Sequence, residues 1–359
     1  MILTSIGLQN FRSYQKQTFQ FSPYVTLIIG PNTVGKTNIL EGIVFLATGK
    51  SFRADSDREM IRWNEDLARV CAVVNETKLE ALVTGGVIGG QAAPMKKYLV
   101  NGVPRRLVDF LGNLRTVLFW PEHLELVTDS PSLRRRYLDS VLIQVDWEYR
   151  RNLLSYERGL RQRNSLLERI KEGFAHRGQL LFWDQLLIRA GGYITDKRSA
   201  FIDFINNSYK DYKDYKSYRI QYDKSVISES RLLQYKEEEI AAKATLVGPH
   251  RDDFTITKYN DYKNYNDYNG YRNLAKFGSR GEQRLAVLWL KLAELAFIQG
   301  QVGERPILLL DDILSELDRG HRKLVFDLIA KQQTVITSAD EESVRMLGGS
   351  DRVIIHLSR

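Results

Sequence analysis

Eight residues, GPNTVGKT from Gly30 to Thr37, constrain the fold of this chain more than any other stretch. They satisfy G-x-x-x-x-G-K-[ST], a loop whose glycines let successive backbone N–H groups turn inward around a phosphate. Such a loop needs a strand before it and a helix after it, because the helix N-terminus adds partial positive charge to the cradle. Both flanks are present. The run YVTLIIG is β-rich, and Ile39, Leu40, Ile43 and Val44 recur at helical spacing from Lys36 to Phe45. Lys36 is placed to reach β- and γ-phosphates, and the Thr37 hydroxyl to ligate Mg²⁺.

A second motif supplies the acid. The apolar run Ile307–Leu310 reads as a buried parallel strand ending in Asp311 and Asp312. Ligands of open α/β sheets bind at that carboxyl edge. Adjacent carboxylates repel unless a cation or proton relieves them. Asp311 is the natural Mg²⁺-side carboxylate, and Asp312 is placed to orient the attacking water. Together the two motifs describe a nucleoside triphosphatase. Between them lies FGSRGEQRLAVLWLKLAEL, where Leu285, Leu288, Trp289, Leu292 and Leu295 form one apolar helix face. Ser279, Gly281 and the first amides of that helix are left presented at its start, as a cap or as an anion surface.

The rest of the chain sorts into three stretches. Residues 1–128 are strand-rich, with a hairpin turning at Asn101-Gly102 and a buried strand at TVLFW. From Pro131 about forty residues are helical, and a second helical stretch follows KEGFAHRG, so 129–218 reads as an inserted antiparallel arm. Strands return in 219–359. Net charge is +8, and residues 131–200 hold 14 Lys or Arg against 8 Asp or Glu. That basic segment suits either a polyanionic partner or a well-solvated helical surface. No stretch approaches the roughly 20 apolar residues of a bilayer span, no secretion signal opens the chain, and the one cysteine is Cys71. These features suit a protein of the reducing cytoplasm with no membrane partner. Two tyrosine-rich tracts, from Tyr209 and from Tyr259, read as low-complexity loops rather than base-stacking platforms. In GPHRDDF, His250, Asp252 and Asp253 lack the further ligand a metal site needs, so structural hydrogen bonding is the favoured role, ahead of Arg251 facing nucleotide or DNA.

Ser279, Gly281 and Gln283 resemble the signature turn of the ATP-binding-cassette superfamily, and SELD at Ser315–Asp318 resembles its loop after the acidic strand. LQNFRSY, GKTNILE, SPSLRRRYLD, QRNSLL, GPHRDDF and FGSRGEQR together resemble the RecF family, relatives of the SMC proteins. The resemblance runs from residue 1 to about 340. It implies an ABC-type ATPase head with a short helical arm, Asn32 and Asn38 beside the phosphate loop, and Arg12 approaching the nucleotide. It implies a signature that binds ATP held by a second copy, hence an ATP-dependent homodimer. It further implies slow, DNA-stimulated hydrolysis at gapped, single-stranded and duplex DNA. RecO and RecR would be partners in recombinase loading, replication-fork maintenance and SOS induction. Arg134, Arg135, Arg136, Arg150 and Arg151 are the candidate DNA contacts, with the first three also able to brace the arm. Thr33 departs from the family's small residue, Arg280 and Glu282 vary the signature, and the Q-loop glutamine is unplaced. SAD at Ser338–Asp340 stands where transporter cassettes carry a switch histidine. That absence and the basic arm argue against a transporter subunit, and no separate acidic cluster supports a nuclease-linked ATPase.

Overall fold

The computed structural model of this 359-residue chain describes residues 1–208, 215–259, 270–313, 319–339 and 352–358. The tyrosine tracts from 209 to 214 and from 260 to 269, SELD and Asp340 therefore lie outside the described residues. Two compact units form, Met1–Pro121 with Ile298–Arg359, and Glu122–Phe297. The second unit is wider than the 129–218 insertion expected, because the helices share their core with the strands and the helix that follow.

The strands of the first unit begin with β1 (Leu3–Phe11), β2 (Tyr14–Gln20), β3 (Val25–Ile29), β4 (Leu67–Val74) and β5 (Thr77–Thr84). The short pair β6 (Val87–Ile88) and β7 (Gln91–Ala92) follows, then β8 (Lys96–Val100), β9 (Val103–Arg105) and β10 (Thr116–Phe119). The second unit contributes β11 (Tyr218–Asp223), β12 (Asp253–Tyr259) and β13 (Tyr271–Asn273). The first unit then resumes with β14 (Ile307–Asp311), β15 (Thr334–Ser338) and β16 (Arg352–His356).

Two sheets build the first unit. One is antiparallel in the order β2-β1-β4-β5-β8-β9. Its strands alternate: Ala68, Val70, Ala72 and Val74 of β4 are buried while the residues between them are half-buried. The β8–β9 turn is the expected hairpin, with Asn101 and Gly102 both at positive φ. The other sheet is all parallel in the order β10-β14-β15-β3-β16. Every residue of β14 and β15 is buried, as a strand covered on both faces requires. Helix α1 (Lys36–Thr48) packs against strands of both sheets. Gly42 permits that approach, since a Cβ there would stand 2.9 Å from Leu8 and 3.2 Å from Ile6. This order brings the carboxyl ends of β14, β15 and β3 side by side, and the functional loops leave from those ends.

In the second unit the forty-residue helix expected is two helices, α2 (Pro131–Val145) and α3 (Trp147–Lys171). The break is at Asp146, whose carboxylate accepts the Tyr149 N–H at 2.8 Å and caps α3. α3 and α4 (Leu181–Asn207) form the expected antiparallel pair. Helix α5 (Arg280–Val302) is, alone among the described helices, long and apolar enough to cross a membrane. Its Leu288, Trp289, Leu290, Leu292 and Ala293 are all at most 3% exposed within the fold, which makes it a core helix. Burial of each such large side chain contributes about 1.5–3 kcal/mol.

Candidate nucleotide site

The phosphate loop leaves β3 at Gly30, whose N–H bonds Ser338 O at the end of β15. The loop then turns through two left-handed residues, Thr33 at φ 72 and Gly35 at φ 108. Gly35 takes that conformation without steric cost, whereas β-branched Thr33 is strained there. Threonine at position 33 therefore carries a backbone cost that glycine would not. Asn32 is exposed on the loop.

Lys36 is buried, and its Nζ donates to Gly30 O at 2.7 Å and Pro31 O at 3.1 Å. No carboxylate pairs with it among the described residues. Thr37 Oγ1 donates to Asp311 Oδ1 at 3.1 Å, and Thr337 Oγ1 donates to the same oxygen at 2.6 Å. Asp311 is 4% exposed, and burial pushes its carboxyl above the usual carboxylate range, with Asp312 adding to the rise. A buried carboxylate with a hydroxyl beside it and no cation bonded to it among the described residues is a hard-oxygen donor set, and it fits Mg²⁺. Asp312 follows at φ 53, its N–H on Thr337 Oγ1 at 3.1 Å.

The turn between β1 and β2 joins this site, so the two stretches FRSY and GKTNILE meet. Arg12 grips Glu41 with Nε at 2.9 Å and Nη2 at 2.6 Å, and its Nη1 donates to Glu59 O at 2.7 Å. Ser51 Oγ donates to Glu41 at 2.5 Å. Asn38 donates to Ser13 Oγ and accepts from Arg53, both at 3.0 Å, while Tyr14 Oη donates to Gly35 O at 3.2 Å. Sequence reasoning missed Ser13, Tyr14, Glu41, Arg53 and Thr337. Only Glu41 left a signal: a carboxylate inside the apolar run of α1, where burial demands a partner.

The signature turn lies in the second unit. Ser279 and Glu282 cap α5 reciprocally: Ser279 N donates to Glu282 Oε2 at 2.9 Å, and Glu282 N to Ser279 Oγ at 3.3 Å. Lys258 at 3.1 Å and Arg272 also hold the Glu282 carboxylate. Gln283 is 5% exposed and donates to Leu274 O at 2.9 Å, while its Oε1 is buried without a hydrogen bond. A Cβ on Gly281 would meet nothing nearer than Ser279 Oγ at 3.9 Å.

The candidate DNA arginines divide. Arg134 is buried, forks onto Asp253 at 2.6 and 3.0 Å and donates to Asp129 O. Arg150 is buried and donates to Ile143 O and Gln144 O. Neither guanidinium is presented to a phosphodiester, which corrects those two expectations: arginine density on a helix does not reveal which side faces inward. Arg135 is half-buried on Asp252 O, whereas Arg136 and Arg151 are exposed. In GPHRDDF, Asp252 accepts from Arg198 at 3.0 Å, from the Ser225 N–H at 2.7 Å and from Tyr222. His250 spans Tyr156 at 2.8 Å and Thr245 O at 2.9 Å. Those residues are committed to the scaffold. Arg251 also turns onto Thr245 O, and no metal-binding group of His, Cys, Asp and Glu occurs among the described residues.

Residues 2–355 match the family described as RecF/RecN/SMC N terminal domain. The DNA replication and repair protein RecF of Lachnoclostridium phytofermentans is 36% identical, over 98% of this chain and 97% of that protein. That of Roseiflexus castenholzii is also 36% identical, over 94% of this chain and 93% of that protein. Among solved structures, the recombination mediator protein RecF with ATP, of the RecFOR pathway, superposes with a TM-score of 0.83 at 32% identity. That likeness covers 95% of this chain and 92% of the other. An Smc head domain of Pyrococcus yayanosii, 13% identical with a TM-score of 0.52, shares the fold.

Proposed function

This chain belongs to the RecF/RecN/SMC N terminal domain family, and from that premise we propose that it is a DNA replication and repair ATPase of the RecFOR pathway. The observation that carries the reading is the meeting of Lys36, Thr37 and Asp311, with Thr37 Oγ1 at 3.1 Å from Asp311. Lys36 would leave the Gly30 and Pro31 carbonyls for the β- and γ-phosphates of ATP. Thr37 and Asp311 would hold Mg²⁺, which supplies charge neutralisation at the phosphate oxygens. Asp312 would orient the attacking water from the same strand end. Gly30, Asn32, Gly35 and Asn38 shape the loop, and Arg12 flanks it from Glu41.

We further propose that a second copy supplies the signature. Glycine in the first turn of a helix costs up to about 1 kcal/mol against alanine. Nothing among the described residues requires it at 281. A nucleotide held by another copy would require it, together with the Ser279 hydroxyl and the amides beside it. The proposed partners are gapped, single-stranded and duplex DNA and proteins of the RecO and RecR type, in the cytoplasm. Arg136 and Arg151 remain arm candidates for DNA.

Asp312→Asn keeps Asp311 and removes the water-orienting carboxylate, so it is expected to bind ATP, turn over at least about 100-fold more slowly and accumulate as a dimer. Ser279→Arg is expected to bind ATP as a monomer. Sedimentation with and without ATP, beside turnover with and without gapped DNA, tests both. A variant Asp312→Asn that stays monomeric with saturating ATP would refute the shared site.

A further inference from the structure

We propose that the outer face of the six-stranded antiparallel sheet docks the phosphate backbone of duplex DNA. This rests on the DNA-binding reading above and gives it a surface. Residues directly paired across neighbouring strands point to the same face of a sheet. The register pairs Lys16 with Gln9, Gln9 with Arg69, Arg69 with Leu82, and Leu82 with Lys97. One row therefore crosses β2, β1, β4, β5 and β8 and carries three cations, one on every second strand. A parallel row pairs Gln20 with Ser5, Ser5 with Val73, and Val73 with Lys78, adding a fourth. Ile6, Leu8, Val70, Ala72, Leu79 and Ala81 point the other way into the core.

Lys16, Lys78 and Lys97 are exposed and have no ion pair among the described residues. The side chain of Arg69 is 41% exposed and bonds Glu80 at 2.5 Å. Between these two rows a third pairs Thr18 with Gly7, Gly7 with Cys71, Cys71 with Glu80 and Glu80 with Leu99, and Glu80 is the one carboxylate on the three rows, against four cations. Glu65, Asp66 and Glu76 lie in the turns beyond the two ends of β4, so, Glu80 apart, negative charge frames the basic row rather than entering it.

With strands about 4.8 Å apart, Lys16 and Lys97 stand roughly 19 Å apart with Arg69 between them. That length is about half the helical repeat of duplex DNA, ~34 Å. The rows hold Gln, Thr, Ser, Val, Leu and Cys71 but no aromatic side chain. Single-strand binders stack bases on aromatic rings. A ring-free basic face matches a duplex backbone instead.

The test is the variant Lys16→Gln/Lys97→Gln, measured on duplex and on single-stranded DNA at several salt concentrations. Each lost phosphate contact should lower the log-log salt slope by about 0.9 on duplex, so the pair lowers it by about 2. At 0.1 M salt that is on the order of a 50-fold loss of duplex affinity. ATP turnover without DNA and the thermal unfolding midpoint should equal those of the unsubstituted protein. An unchanged duplex affinity and slope would overturn the surface while leaving the DNA-binding reading intact. So would a loss confined to single strands. Failure of the unsubstituted protein to bind DNA would overturn that reading itself.

Discussion

Two regions of this molecule bury charge, and they do so in opposite ways. Around GPHRDDF the charges are compensated. Arg198, at 3% side-chain exposure, reaches Asp139 and Asp252, and Arg163 reaches Asp184 and Glu239. Arg134 is matched by Asp253. In the phosphate loop the charges are not compensated. Lys36 rests on two carbonyls, and Asp311 rests on two hydroxyls. Burying a charge against neutral dipoles costs more than burying it against a counterion with full hydrogen bonding. A fold tolerates the first arrangement where a ligand brings the missing charges. Compensation marks scaffold, and its absence marks a site.

The sharpest way to break this distinction is to remove the cation from each region. Arg198→Met leaves the buried Asp252 and the partly exposed Asp139 without their shared cation, and should cost about 3–5 kcal/mol of stability. Urea unfolding would read this, and a loss under about 1 kcal/mol would show that the network is not compensating at all. Lys36→Met removes a buried charge that has no counterion among the described residues, so the same measurement should change little. Turnover should instead fall by roughly 10²–10³ in a single-turnover ATP assay. If Lys36→Met unfolds the protein, the loop is scaffold too.

A smaller effect concerns strain. Thr33 occupies a left-handed conformation that costs an ordinary residue about 1–2 kcal/mol. Thr33→Gly relieves it but loosens the unfolded chain by about 0.5–1 kcal/mol, leaving a net gain of about 0.5–1 kcal/mol. Denaturant titration checks the gain. A loss would mean that the Thr33 side chain contributes something its backbone cost conceals.

The same division explains what the sequence could reveal. The loop and the acidic strand were legible because their chemistry is local: fixed spacing, a strand before, and a helix or turn after. The shared-core compensation was not, because its partners are far apart in the chain. Arg134 and Asp253 are 119 positions apart, and Arg163 and Glu239 are 76. A run of arginines on a helix therefore left a solvated or DNA-facing surface and, for Arg134 to Arg136, a bracing role all open, and sequence could not say that Arg134 and Arg150 turn inward. The break at Asp146 was legible in principle, since an Asp with Glu148 in the following turn is a helix start. The Ser279–Glu282 cap was legible for the same reason, as S-x-x-E before an apolar run. The basic sheet face was not, since its cations lie on strands whose pairing no single segment dictates.

The smallest predicted effect separates the regions by pH. Burial lowers His250 in the scaffold to about 4 from an ordinary 6.5. The unfolded chain then takes up the proton first, so the contribution of His250 is complete above pH 6.5 and is lost as pH falls towards 4. Burial raises Asp311 in the site, so the folded form takes up the proton first. Its penalty is present at neutral pH and fades as acid is added. Thermal melts in a metal chelator from pH 8 to pH 4.5 should show this as two opposite trends. The stability advantage of the unsubstituted protein over His250→Gln should shrink on acidification. Asp311→Asn should be the more stable form at pH 8 without metal, and its lead should narrow as the pH falls. Parallel trends would mean that both groups sit in equivalent surroundings, and the distinction between compensated scaffold and uncompensated site would fail at its two titratable members.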